Sequence, residues 1–344
     1  MTSQFQFPET PFIIAEMSGN HNGSLDRALA IVEAAAEAGA DAIKLQTYTA
    51  DTITLDVDSP LFRVSEDHSL WGGRKLYDLY TEAQTPWEWH AQIFKRAGEL
   101  GLVAFSTPFD ETAVDFLEQL GAPLYKIASM EIVDIPLIQK VAATKKPIII
   151  STGTASLGEI EEAVRAARGH GCTDLTLLVC SSSYPAQPSD VNLARLEILK
   201  GLFGVRVGYS DHTLGVNVAL TSVALGATVI EKHFTLDKSE GGVDSAFSAD
   251  PDELRQIVRG SREATEAIGQ PDIWLTEAES ESLRLRPSLY VTRQVSVGEL
   301  VSQGNVRSVR PSGGLAPSQF SVVMGRVFRQ NTSAGTPLSW DLLD

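Results

Sequence analysis

The chain has 344 residues, with 44 Asp and Glu against 28 Lys and Arg and a net charge of −16. Such a surface repels a phosphate backbone, which excludes nucleic-acid binding by bulk charge and leaves any bound anion to a few placed cations. The apolar share of 43% fills a core, and no run of about 18 apolar residues exists to span a membrane. Residues 1–11 are polar and carry Glu9, which does not read as a signal peptide. Cys172 and Cys180 make no disulfide framework, so a reducing cytoplasm is expected.

Two patterns alternate over the first 270 or so residues. Eight apolar runs without polar alternation read as buried parallel strands: 12–15, 42–45, 102–105, 124–127, 147–150, 175–179, 205–208 and 228–231. Between them lie helix-period segments at 25–38, 87–100, 111–120, 158–168, 216–225 and 251–268. Their expected C-caps are Gly39, Gly101, Gly121, Gly169, Gly226 and Gly269. Eight such units point to a (β/α)8 TIM barrel over residues 1–270, with a doubly wound open sheet as the alternative. Residues 271–286 read as a linker with a polar helical piece. Residues 287–344 form a small, mostly β module punctuated by Gly, Ser and Pro. In it, residues 296–302 align without gaps on 333–339, which two related hairpin-like turns would explain. A module this small buries little surface alone and is expected to dock on another surface.

A barrel of this kind carries its active site at the C-terminal ends of its strands, so the residues around each run's end matter. In order they are Glu16; Lys44 and Gln46; Thr107; Lys126, Ser129 and Glu131; Ser182 and Tyr184; Ser210 and His212; and His233. A buried environment does not hold Lys44 and Lys126 without anionic partners. Either each lysine caps a neighbouring carboxylate, or Lys44, Lys126, Thr107, Ser129 and Ser210 line a pocket for phosphate or carboxylate. His212 and His233 come from adjacent strand ends, about 4.8 Å apart. That spacing suits one divalent ion such as Mn²⁺ with further oxygen ligands, and core hydrogen bonds are the other explanation. Glu16 and Glu131 are candidates for general base or for partners of sugar hydroxyls, unless each is a salt bridge to a pocket lysine. Asp244, in a Gly-rich segment after the eighth run, is either a polyol contact or an exposed turn aspartate. His68, His90 and His170 read as surface or loop residues.

Several motifs together resemble the sialic acid synthase family: AEMSGNHNG at 15–23, KLQT at 44–47, STPF at 106–109, YKIAS at 125–129, YSDHT at 209–213 and EKHF at 231–234. The C-terminal module resembles the antifreeze-like SAF domain which that family carries, including residues near Arg310-Pro311. Within the family, five segments are similar to the subgroup that takes a diacetamido 6-deoxy-altrose. They are EMS at 16–18, YTADT at 48–52, LYDLY at 76–80, TPWEW at 85–89 and GVDSAFS at 242–248. Ser182 stands where sialic acid synthases carry an Asn, which argues against N-acetylmannosamine as the sugar.

The resemblance implies a metal-dependent condensation of phosphoenolpyruvate with the open-chain aldehyde of an N-acetylated amino sugar, with release of phosphate. It implies that Lys44, Thr107, Lys126, Ser129 and Ser210 bind phosphoenolpyruvate. His212 and His233 would hold Mn²⁺, with Mg²⁺ or Co²⁺ as alternatives. Glu16 would handle the attacking water, and Glu131 would serve the sugar. Gln46, Ser182, Tyr184 and Asp244 would contact the sugar, and Arg310 would reach the partner's site in a domain-swapped homodimer. Two other classes stay open. A different phosphoenolpyruvate-using barrel shares the anion pocket but leaves residues 287–344 unexplained. A non-catalytic sugar-binding barrel predicts a lost cation or metal position, and none is lost.

Overall fold

The computed structural model describes residues 5–344, so the first four residues of the polar N-terminal segment lie outside the described residues. The chain divides into two compact units, one ending at Gly269 and the other running Gln270–Asp344. In the first unit eight parallel strands close into a barrel in chain order. They are β1 (Phe12–Glu16), β2 (Ala42–Thr47), β3 (Val103–Pro108), β4 (Tyr125–Ile127), β5 (Ile148–Ser151), β6 (Leu175–Cys180), β7 (Arg206–Asp211) and β8 (Val229–His233). β1 pairs with both β2 and β8, which closes the ring. The expected TIM barrel is therefore the observed one.

Most strands run one to three residues past the expected ends. Polar residues there still pair with the neighbouring strand, as Gln46 does with Thr107 and Ser210 with Glu231. Polar groups that a hydropathy pattern assigns to loops thus sit on rigid strand ends. Helices Leu25–Ala38 and Pro251–Ile268 match their expected limits. Gly169 is the last residue of helix Leu157–Gly169 and not its cap: His170 is the C-cap, and the left-handed residue comes at Gly171, φ 107°. Helices Ile135–Ala143 and Arg195–Phe203 are additions to the periodicity reading. The second buries only Leu196 and Leu199, too few to mark a stripe.

Period-two alternation sorts the strand residues into two sets. One set, with Ile13, Ala15, Ile43, Leu45, Ile148, Ile150, Leu177, Val179 and Ile230, packs outward against the helices. The other packs inside the barrel as Phe12, Ile14, Ala42, Phe105, Leu124, Ile149, Leu178 and Val229. Two residues further along, the same inward face carries Glu16, Lys44, Thr107, Lys126, Ser151, Cys180 and Glu231. An apolar plug thus fills the lower barrel and a polar layer sits directly above it.

The second unit has its own small core of Leu289, Val291, Val295, Val301, Val306, Val323, Phe328, Leu338, Leu342 and Leu343. β9 (Ser288–Val291) and β10 (Val306–Val309) pair antiparallel, and isolated bridges supply the remaining sheet contacts. The internal repeat has a geometric counterpart. Gly298 and Gly335, at equivalent places in it, both adopt φ 84°, the left-handed turn conformation that favours glycine.

Gly208 marks the tightest point of the barrel wall. A Cβ there would stand 2.3 Å from the Val229 carbonyl oxygen and 2.6 Å from Leu178 Cδ2. Gly208→Ala should therefore cost about 3 kcal/mol of stability through overpacking. Urea unfolding would show this as a lower midpoint at unchanged slope; an unchanged midpoint would mean the wall yields freely.

Candidate active site

The polar layer is built around four buried charges. Lys44 Nζ lies 2.7 Å from Glu16 Oε2 and 3.7 Å from Glu231 Oε1, and Lys126 Nζ lies 3.9 Å from Glu231 Oε2. Lys44 also donates to Thr107 Oγ1 at 3.1 Å. Lys126 donates to Ser151 Oγ at 2.7 Å and to the Ile127 carbonyl at 3.2 Å. Ser210 Oγ donates to Glu231 Oε1 at 3.4 Å. The lysines thus have carboxylate neighbours and also line a hydroxyl-rich space.

Burial and these neighbours set the protonation states. Burial raises the pKa of Glu16 more than the Lys44 ammonium lowers it. For Glu231 burial also pushes upward, but Lys126 and Lys44 outweigh it and the net direction is down. Burial pushes Lys44 down, and the two carboxylates reverse that to a net rise. Lys126, whose carboxylate neighbour Glu231 is 3.9 Å away, keeps the downward shift that burial imposes. Of the two acids, Glu16 takes up a proton more readily.

Beside Lys126 the β5 loop leaves a cradle. A Cβ on Gly153 would lie 2.4 Å from Ser182 Oγ, 2.6 Å from Cys180 Sγ and 2.9 Å from Ser129 Oγ. Glycine is therefore what keeps those groups together. Ser182 Oγ is buried without a hydrogen-bond partner among the described residues. Hydroxyls next to a weakly compensated ammonium are the equipment for an anionic oxygen.

His212 and His233 stand together, ring centroids 5.4 Å apart. A second pair of charges behind the barrel wall places them. Lys232 Nζ donates to Asp211 Oδ2 at 2.7 Å and also to the Thr213 carbonyl, while Asp211 Oδ1 accepts from Thr213 N–H at 2.8 Å. That locks the turn on either side of His212. Nδ1 of His212 donates to the Ser181 carbonyl at 2.7 Å, leaving Nε2 with a free lone pair. His233 Nδ1 is buried with no hydrogen-bond partner among the described residues. Burial lowers both pKa values, so both rings are neutral near neutral pH. Neutral imidazoles, one oriented by a carbonyl and one with an orphaned nitrogen, fit a divalent cation. Among the described residues no group of three or more His, Cys, Asp and Glu converges on one point, so the protein's donor set here is the pair.

Glu131 opens the short helix Glu131–Val133 after β4, and its Oε2 is buried without a hydrogen-bond partner among the described residues. Burial raises its pKa from the ordinary 4.5 to about 6. Tyr184 packs on His212 at 4.5 Å and on Phe247 at 5.1 Å. Asp244 is 7% exposed and not an exposed turn residue. It accepts from Ser18 Oγ, and from the Gly19 N–H at 3.3 Å. Gln46 Nε2 donates to Glu16 Oε1 at 2.9 Å. Arg310 lies in the second unit, exposed, just past β10. His90 corrects the surface reading: it is fully buried and bonds Thr47 Oγ1 at 2.9 Å through Nε2. Glu231, Ser151 and Ser18 belong to the site and were not singled out. Spacing by two from His233 and from Ile149 marks the first two.

Residues 31–272 match the NeuB family and residues 286–344 the SAF domain. The chain belongs to the NeuB family. It is 43% identical over 334 residues to the pseudaminic acid synthase of Campylobacter jejuni, spanning 97% of each chain. It is 39% identical to the N,N'-diacetyllegionaminic acid synthase of Legionella pneumophila, over 97% of this chain and 95% of that one. Among solved structures, this NeuB-family chain superimposes on the N-acetylneuraminic acid synthetase of Leptospira borgpetersenii with a TM-score of 0.71. The match is 33% identical and covers 80% of this chain and 90% of that one. No helix among the described residues is long and apolar enough to cross a membrane.

Glu131 yields a pH prediction. Its carboxyl is held above its ordinary value, so between about pH 4.5 and about 6 the folded state binds the extra proton. Stability then falls as pH rises through that window. Glu131→Gln removes this contribution, so its urea midpoint should fall less across the window than that of the wild type. Equal falls would show that Glu131 does not titrate there.

Proposed function

We propose that the chain is a pseudaminic acid synthase. It would join phosphoenolpyruvate to the open-chain aldehyde of 2,4-diacetamido-2,4,6-trideoxy-L-altrose, add water and release phosphate by C–O cleavage. The observation that carries the reading is the pairing of the Lys44–Lys126 hydroxyl cradle with the His212–His233 pair, in a chain similar to pseudaminic acid synthases over nearly its full length.

Lys44, Lys126, Thr107, Ser129, Ser151 and Ser210 bind the phosphate and carboxylate of phosphoenolpyruvate, and Glu231 holds the two ammonium groups apart. His212 and His233 would hold the divalent cation, Mn²⁺ with Mg²⁺ or Co²⁺ as alternatives, whose chemistry is to polarise the aldehyde oxygen. Gln46, Ser182, Tyr184 and Asp244 position the sugar so that its C1 faces C3 of phosphoenolpyruvate. The C3–C1 bond forms from the enol π electrons while the C1=O π pair moves onto oxygen and takes a proton from Glu131, and water adds to C2. Glu16, whose pKa is raised, takes the proton of that water. The bond from C2 to the bridging oxygen then breaks and phosphate leaves with that oxygen. Glu131 faces the sugar as a second proton carrier.

The reading includes a homodimer in which Arg310 of one chain meets the sugar site of the other. Supporting it, Arg310 is exposed and has no ion-pair partner among the described residues, and Ile273 and Trp274 are 98% and 82% exposed. Free, buried Cys172 and Cys180 accord with a reducing cytoplasm.

Phosphate release from phosphoenolpyruvate with Mn²⁺ tests the substrate. The expected result is turnover with the diacetamido altrose and none with its legionaminic-pathway isomer or N-acetylmannosamine. Turnover with either of those moves the substrate and keeps the mechanism. No release with any of the three returns the chain to the other phosphoenolpyruvate barrels. In the same assay His212→Ala and His233→Ala should each lose metal-stimulated turnover by roughly a hundredfold or more. Undiminished turnover in both removes the metal role.

A further inference from the structure

Ser18 lies just past β1 at φ 46°, a left-handed backbone that serine adopts only at a cost. It is buried, and its one hydroxyl hydrogen is committed: it donates to Asp244 Oδ2, and the oxygen accepts from Gln46 Nε2 at 2.9 Å. Gln46 Nε2 also donates to Glu16 Oε1 at 2.9 Å, and the Gly19 N–H donates to Asp244 Oδ2 at 3.3 Å.

Counting donors and acceptors gives the consequence. The Gln46 amide has two hydrogens, and Glu16 and Ser18 take both. The carboxylate of Glu16 only accepts, so the amide cannot turn over without losing that bond. Gln46 can therefore offer a ligand only its Oε1. Asp244 has spent Oδ2 on Ser18 and Gly19 and offers Oδ1. The sugar side of the site thus presents two acceptors and no donor from these residues. Both belong to buried or partly buried groups, where an unmet acceptor is costly.

We propose that Ser18 is the positioning residue that sets this pair of acceptors, so that the site selects a sugar presenting O–H or N–H donors to Gln46 and Asp244. The inference rests on the synthase reading above and adds to it which polarity the sugar must show. The strain at Ser18 fits this: the backbone holds a hydroxyl at the one place from which it reaches Gln46 on β2 and Asp244 on the β8 loop together.

Two variants separate the hydroxyl from the backbone. Ser18→Ala removes the hydroxyl and keeps the strain, whereas Ser18→Gly removes both. Each should raise the KM for the sugar about tenfold, the size of one lost hydrogen bond, and move the KM for phosphoenolpyruvate less than about threefold. The Gly variant should melt no lower than the Ala variant. Ser18→Ala combined with Asp244→Ala should cost less than the two single effects multiplied together, since both remove the Ser18–Asp244 contact. A sugar KM within about twofold of wild type in both variants overturns the proposal. So does an equal rise for both substrates, which would mark general loosening, or a wild-type sugar KM in the Gly variant alone, which would make strain the cause. Wild-type turnover is scored first. Its absence with every sugar overturns the synthase reading and this proposal with it, whereas its presence with unaffected Ser18 variants overturns only this proposal.

Discussion

Lys44 stands between two carboxylates inside a closed barrel, 2.7 Å from Glu16 and 3.7 Å from Glu231, with Lys126 a further step beyond Glu231. Taking such charges out of water costs several kcal/mol per ion, and well-packed apolar residues in their place would often be as stable. The arrangement is therefore poor evidence of a stabilising device and good evidence of a site. It is tolerated because the apolar plug below it and the outward layer against the helices carry the fold. On the proposed reading, an incoming anion would meet two ammonium groups already oriented and shared with Glu231, a charge network in place before any ligand arrives.

Orientation is secured from behind. The Asp211–Lys232 pair faces away from the barrel interior and fixes the turn that presents His212 inward. Asn20 donates to the Phe234 carbonyl at 3.0 Å and to Ser248 Oγ at 2.8 Å, and Asn22 donates to the Gly241 carbonyl at 3.1 Å. The two asparagines of the Asn-His-Asn motif after β1 thus tie down the β8 segment that carries Asp244. Trp71 adds a further tie, its indole N–H donating to the Val243 carbonyl at 3.0 Å. Side chains on strand ends, backed by such contacts, hold their geometry more closely than loop residues do.

Much of this was legible along the chain. Parallel strands that follow one another in a barrel are neighbours in space, so two histidines at the ends of consecutive runs had to come close, and His212 and His233 do. The lysines stood out because an ammonium inside an apolar run needs a reason. Left-handed glycines stop helices at Gly39, Gly101, Gly121 and Gly226, where a Cβ would be strained. Gly169 misled because glycine is also tolerated within a helix, at about 1 kcal/mol relative to alanine.

The sequence by itself determined the number and order of the barrel strands, the β-rich character of the last residues and which residue types gather at the strand ends. Apolar runs, period and turn residues record those directly. Only the tertiary structure decided that Glu231 lies between Lys44 and Lys126, that His90 is buried, and that Ser18 reaches both Gln46 and Asp244. The reason is physical. A strand of a closed barrel is buried on both faces, so hydropathy does not say which side is inward. Contacts between residues more than two hundred positions apart, such as Ser18 and Asp244, exist only once the ring has closed.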